Sequence, residues 1–438
     1  MRGAVTLLFS AAALAASAQL PDGRTIEAGL MNDPEVLVNA QGLARHDLSI
    51  RGSAYTGSGL SINGVNLKSP WSAHHNAELP VLSGLLTAPK VRRGLDNATG
   101  HLVGTAAYDT KPRAKESLLS VGAGTEERYR ATAYGSGENV GGYFDWEKAR
   151  RIDSDANDLE RFTGGAFLQF FQNDWMFDVL AANQSKRFGA QGYDGIPSTV
   201  YAEQQLDDGL IFAGATKGDL EDSYVRASAY YRDLQDQYAL PSALFKSDVT
   251  SRDMAVALEG RTIEVQHLAL NLRGELEHER VSGDARDERT RGSVLVLPEA
   301  RLERFTVKAG LNSVFQTDEA AEWLPVLGVD WFAGDNSSVH LSYTETEQQP
   351  DYQTLYYSDP YRVGNAFLNQ QRSKNAELGF RQFLSASLDW SVAGFYRRLE
   401  DASDWTQTAA GGVWAATDLG DLNMGGVDAA ITYRPSED

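Results

Sequence analysis

The chain has 438 residues and 47.8 kDa, with 40 Lys+Arg against 60 Asp+Glu, a net charge of −20 and a pI near 4.8. An apolar share of 42% excludes a disordered chain, and mean hydropathy of −0.37 excludes a helical membrane protein. Cysteine is absent, which excludes disulfides, thiolate metal sites and a cysteine nucleophile, and the acidic balance argues against nucleic acid as a partner.

Residues 1–18 carry Arg2, an apolar run from Ala4 to Ala16 and the small-residue site Ala16-Ser17-Ala18. That order is a cleaved export signal. No later stretch reaches the ~18 apolar residues of a spanning helix, so entry into a membrane would require a β-barrel. Residues 19–112 are rich in loops, with short apolar runs at Glu35–Asn39, Asp47–Arg51, Gly59–Leu67 and Lys90–Gly94. From about Lys115 to the end at residue 438, segments of ~10 residues alternate apolar and polar side chains, the period of a strand with one face in hydrocarbon. In Tyr224–Asp233, Val225, Ala227, Ala229 and Tyr231 oppose Arg226, Ser228, Tyr230 and Arg232. In His267–Glu279, Leu268, Leu270, Leu272 and Leu276 oppose Asn271, Arg273, Glu275, Glu277 and Glu279.

Short and long connections alternate along this stretch. The short ones are near Gly137–Val140, Gln172–Asp174, Gly218–Asp222, Thr262–Gln266, Glu303–Arg304, Gly334–Ser337 and Leu384–Ser387. The long ones include Ala149–Glu160, Ser185–Gly209, Leu234–Asp253, Ser282–Arg289, Thr344–Asn375 and Leu399–Leu419. Tight turns on one side and long loops on the other are the signature of an outer-membrane barrel, here of about 16 strands.

Four fragments in order resemble the plug domain of TonB-dependent outer-membrane receptors. They are Asp47-Leu48-Ser49-Ile50-Arg51-Gly52, Leu60 to Leu67 with Asn63-Gly64 at its centre, His74 to Pro80, and Val91-Arg92-Arg93-Gly94. Leu355 to Asn365, Ser373 to Phe380 and Leu422 to Ala429 are similar to a long loop and two strands of the same family's barrel. The resemblance implies an antiparallel transmembrane β-barrel over 115–438 and an α/β plug over 19–112 inside its lumen. It also implies active import of a ferric siderophore or cobalamin, driven by a TonB-type periplasmic protein, in a monomer set in outer-membrane lipid and lipopolysaccharide. Arg51 would be a buried cation tying plug to wall, and Gly52 and Gly64 would allow tight reversals.

The family barrel has ~22 strands. The ~16 here predict a fragment or truncated product with two unpaired edges facing lipid or each other. Arg24-Thr25-Ile26-Glu27-Ala28 makes a poor TonB box.

Tyr55, Trp71, His74 and His75 at the plug apices, with Tyr356 and Tyr357 of the longest loop, are the candidate ligand contacts. The bland alternatives are a solvated loop for the two histidines and self-packing for the cluster Tyr352, Tyr356, Tyr357 and Tyr361. Asp153 to Asp158 has calcium-like spacing without the required Gly and Glu, and Arg280–Arg291 reads as a wet loop tip. No catalytic motif is present, so no enzyme, cofactor or metal centre is expected. A porin-like barrel without transport coupling and a secreted soluble β protein are the alternatives.

Overall fold

The computed structural model describes residues 26–434 apart from 31, 32, 34, 42, 43, 112–114, 126, 151–157, 318, 408 and 410. The export signal, Arg24-Thr25 and Asp153 to Asn157 of the acidic loop lie outside the described residues.

Six short strands come first: β1 (Val36–Gln41), β2 (Arg45–Ile50), β3 (Ser58–Ile62), β4 (Val65–Leu67), β5 (Lys90–Arg92) and β6 (Gly104–Tyr108). β1 and β2 pair alone, while the other four form a sheet in the order β4-β3-β6-β5 with β3 and β6 parallel. Asn63 and Gly64 close the β3–β4 hairpin at φ 44° and 81°, the two left-handed positions that a two-residue hairpin turn requires. Among the described residues this region holds only strands and 3₁₀ turns. The α/β plug expected over 19–112 has, among the described residues, no α-helix.

The remaining strands form one antiparallel ring. Its first half comprises β7 (Glu116–Gly124), β8 (Arg128–Ser136), β9 (Val140–Ala149), β10 (Leu159–Gln172), β11 (Trp175–Gly189), β12 (Glu203–Gly218), β13 (Tyr224–Leu240) and β14 (Phe245–Arg261). Then follow β15 (Leu268–Gly283), β16 (Asp287–Leu302), β17 (Phe305–Gln316), β18 (Glu322–Gly334) and β19 (Ser337–Gln348). The last are β20 (Arg362–Val363), β21 (Gln371–Ser385), β22 (Leu388–Gln407) and β23 (Trp414–Tyr433). β20 is a two-residue piece of a loop, lying parallel to β23. Without it the wall has sixteen long strands among the described residues.

Most of these strands are longer than the ~10 residues that alternation suggests. The apolar outer belt is short: on β14 it comprises Met254, Val256 and Leu258, all exposed, and it stops at the outward Arg252. Beyond the belt both faces are polar, so pairing continues where alternation no longer shows it. The loops shrink accordingly. Ser185–Gly209 reduces to 190–202, and Leu234–Asp253 reduces to four residues, 241–244. The Arg280–Arg291 run is a three-residue tip flanked by paired strand. Arg289 and Arg291 point into the lumen, where they meet Glu279 and Glu347.

β23 returns beside β7 to close the ring, where two edges were expected to remain unpaired. The join differs from every other. Long neighbours elsewhere share long ladders, as in β13–β14 from Tyr224↔Arg261 to Leu240↔Phe245, but among the described residues no such ladder joins β23 to β7. Both strands stay open to the surroundings, with Leu119 80% and Ile431 79% exposed.

The ring encloses the first six strands. Leu60, Ile62, Val65, Leu67, Ala106 and Tyr108 share one core with Tyr143, Phe167, Leu180, Phe212 and Tyr230 of the inner wall. Burial of these apolar faces against each other stabilises the arrangement by roughly 25 cal/mol per Å² removed from water.

Candidate functional site

Hydrogen bonds join the enclosed region to wall strands around the ring. Arg232 (β13) is fully buried, pairs with Asp208 at 2.8 Å and donates to the carbonyls of His75 (3.0 Å) and Glu78 (3.2 Å). Ser228 donates to the Asn63 carbonyl at 2.8 Å, and Asn66 donates to Glu275 at 2.9 Å. On the far arc, Arg51 pairs with Glu377 (2.5 Å) and Asp428 (2.6 Å) and lies over the Phe395 ring. Arg51 and Gly52 both take positive φ, which turns the chain out of β2 and aims the guanidinium at the wall. Arg93 meets Glu35 at 2.8 Å, Gly94 has φ 51°, and Ile50 is buried with Leu102 and Val103.

The ligand candidates gather at the end of the ring that carries the long connections. The segment 349–370 covers them. Its helix α1 (Tyr352–Tyr356) is capped by Asp351 and docks on residues 70–73, with the Tyr352 and Gln353 amides donating to the Pro70 and Trp71 carbonyls. Trp71 is consequently buried, edge-on to Tyr357 with ring centroids 5.9 Å apart. Tyr352 and Tyr357 are buried too, whereas Tyr356 is exposed and donates to Asp287. Within the tyrosine cluster Tyr352 stacks on Tyr356, while Tyr357 packs against Trp71 and Phe245 and Tyr361 against a separate core.

His74 and His75 are not solvated: both are buried. His75 Nε2 lies 3.3 Å from Asp236, while His74 uses Nδ1 toward Asp47 (2.7 Å) and Nε2 toward Asp194 (3.3 Å). The two rings therefore face separate carboxylates. Tyr55 stacks on the His74 ring at 4.2 Å. Burial first, then the nearby Asp351, Asp194 and Asp47 charges, push the Tyr55 phenol up.

Asp194 is the centre that sequence reasoning missed. It takes a bidentate contact from Arg45, lies 3.2 Å from Arg362 Nη1, and faces His74. Burial works against its charge, but Arg45, His74 and Arg362 outweigh it and hold the carboxyl well below the usual range. Arg362 is also paired with Asp359 at 2.8 Å and lies over the Tyr357 ring. Trp414 completes the closure: its indole donates to the Gly195 carbonyl and its amide to the Tyr361 carbonyl. The sequence holds one faint trace of this, the Gly192-Tyr193-Asp194-Gly195 turn, because its partners lie 149 and 168 residues away.

Two small, partly open crevices flank Gln348 and Gln349. The first is lined by Thr56, Thr354, Ser403, Asp404 and Trp405 among others, the second by Lys68, His101, Glu277, Arg289 and Arg291. Among the described residues no group of three His, Asp or Glu is placed to hold a metal ion.

A wall with an apolar outer belt, a polar inner face and its own N-terminal strands packed in the lumen defines a transmembrane β-barrel with an occupied interior. The chain belongs to the TonB-dependent receptor-like β-barrel family, whose model matches residues 99–436. The siderophore receptor PirA from Pseudomonas aeruginosa is similar at TM-score 0.73 and 15% identity, covering 96% of this chain and 80% of that one. The FrpB iron transporter from Neisseria meningitidis (F3-3 variant) gives 0.71 and 14%, with 94% and 75% covered. The copper transporter OprC gives 0.72 and 15%, with 95% and 76% covered. These likenesses establish the fold. No curated protein matches the chain.

Proposed function

We propose that this chain is an outer-membrane receptor for active import of a large, scarce ligand, with a ferric siderophore or cobalamin as the ligand class. In this reading residues 1–18 direct export, 19–112 are the plug and 115–438 the wall. The long loops face the outside, and a TonB-type protein pulls from the side of the short turns. The observation that carries it is the filled lumen: Arg232, Arg51 and Asn66 fasten the enclosed strands to opposite arcs of the wall. A passive pore has no use for such a stopper. The titles of the structural neighbours, which name iron, siderophore and copper transport, support the same reading. Release then follows from differential ligand binding by two plug states.

The weak TonB box bears on coupling, since Ile26 is tucked against the plug and its carbonyl accepts from Tyr108. Growth of a deletion strain on single iron or cobalamin sources tests the proposal. Complementation should restore growth on one source, and only while the energising partner is present. Restoration independent of that partner would identify a passive pore instead.

A further inference from the structure

We propose that the enclosed four-stranded sheet parts from the wall on one face only, toward β15, β16 and β19, and that the opening made there is the ligand's route. The inference rests on the import reading and names the side of the lumen that the ligand takes.

The sheet is two-faced. Residues opposite each other on paired strands share a face, so Leu60 with Leu67 and Ala106, and Ile62 with Val65, turn one way. Ser61 with Asn66, and Gly59 with Thr105, turn the other. The first face seats in the core shared with Phe167, Leu180, Phe212, Tyr230 and Ala257 of β10 to β14. Arg232 on the same side holds the His75 and Glu78 carbonyls. The second face meets charge: Asn66 donates to Glu275, and Lys68 pairs with Glu277 at 3.1 Å and with Glu279. Apolar contact there is smaller, with Leu95 and Ala98 against Leu295, Leu297 and Val326.

The crevices lie on this second side. Asn66, Lys68, Glu275 and Glu277 line one, Thr56 and Thr354 line the one nearer the mouth, and Gln348 borders both. The Gln348 side chain clasps the enclosed region there, donating to the Thr56 carbonyl at 2.7 Å and accepting from the Leu102 amide at 3.4 Å. Ser61 is 1% exposed on the same face, and its hydroxyl has no hydrogen-bond partner among the described residues. Polar partners that part in water are rewetted at little net cost, whereas an apolar face that parts loses its burial outright. The polar face therefore opens first and the apolar face holds as the hinge. Walls that carry Lys68, Arg289 and Arg291 beside Glu275, Glu277 and Glu347 suit a ligand rich in both donors and acceptors.

The chain contains no cysteine, so introduced thiols report the opening cleanly. Ser61→Cys and Ala106→Cys place them on opposite faces at equal burial. In the full chain in detergent, a charged methanethiosulfonate should modify the first about tenfold faster, because reaction at a buried group tracks the population of its open form. Gln348→Ala should speed the first reaction and leave the second unchanged. Equal rates, a faster reaction at Ala106→Cys, or no response to Gln348→Ala would overturn the proposal. Val65→Cys takes the place of Ala106→Cys if that variant melts lower than the unaltered chain.

In cells, a bis-methanethiosulfonate bridging Lys68→Cys to Glu277→Cys should abolish growth on ferric citrate or cyanocobalamin, whichever the unaltered chain supports, and reductant should restore it. Bridging Asp109→Cys to Arg226→Cys, an ion pair on the hinge side, should leave growth intact. Growth that survives the first bridge, or is lost with the second, would overturn the route. Growth that needs no energising partner, with the labelling difference intact, would sink the import reading alone. Partner-dependent growth with equal labelling rates would sink the one-sided opening alone.

Discussion

Along β13 the wall sends Val225, Ala227, Ala229 and Tyr231 outward and buries Arg226, Ser228, Tyr230 and Arg232, whereas in the enclosed sheet Leu60, Ser61 and Ile62 of β3 are all buried. The first pattern has two solvents, lipid and a polar lumen, and a period of two follows from the pleat. The second has one environment on both faces, so alternation carries no signal there. The wall is held chiefly by ladders between chain neighbours. The enclosed region is held to it by the shared apolar core and by ion pairs and hydrogen bonds between residues far apart in sequence, such as Arg51 with Glu377 and Arg273 with the Gly64 carbonyl.

That division predicts separable failures. The largest effect belongs to Arg232→Ala, which strands Asp208 and frees the His75 and Glu78 carbonyls. Removing one partner of a buried pair costs about 3–5 kcal/mol. Hydrogen exchange should show residues 60–80 losing protection while the wall strands keep theirs; joint loss would mean that the wall and the enclosed strands form one cooperative unit. Next comes Val256→Arg in the middle of the apolar belt, 58% exposed to the bilayer side. It should cost about 2–4 kcal/mol in a bilayer folding equilibrium and leave the enclosed region's protection pattern unchanged. An effect near zero would show that this face does not meet lipid.

The third effect is a dependence on pH. Burial, with the Lys68 and Arg291 charges adding to it, lowers the His101 imidazole from 6.5 to about 3. The unfolded chain therefore binds the extra proton first as pH falls. The His101 contribution is complete above pH 6.5 and is lost on acidification, by about 1.4 kcal/mol per pH unit, until the folded ring titrates. Thermal unfolding of the enclosed region between pH 7 and 4 should show this slope, and His101→Gln should flatten it. A slope that persists in the variant would place the acid sensitivity elsewhere.

Period two and the punctuation of tight turns identified the barrel and about sixteen strands, because both are local consequences of pleat and chain reversal. Asn63-Gly64 was equally legible, since two left-handed residues in a row leave few alternatives. Strand length was not, because pairing above the apolar belt leaves both faces polar. The same holds for the histidines: His74 and His75 look like loop residues in the sequence, and only tertiary contacts bury them, with Asp47, Asp194 and Tyr55 around His74 and Asp236 against His75.

The amino-acid order by itself determined the wall, its two unequal ends and the hairpin inside it, through side-chain alternation and backbone sterics over a few residues. Tertiary structure alone decided that the ring comes round at β23 and β7, that 349–370 folds over Trp71, and that Arg45, His74 and Arg362 meet at Asp194. Electrostatic pairing across a lumen depends on distance in space, and separation along the chain carries no record of it.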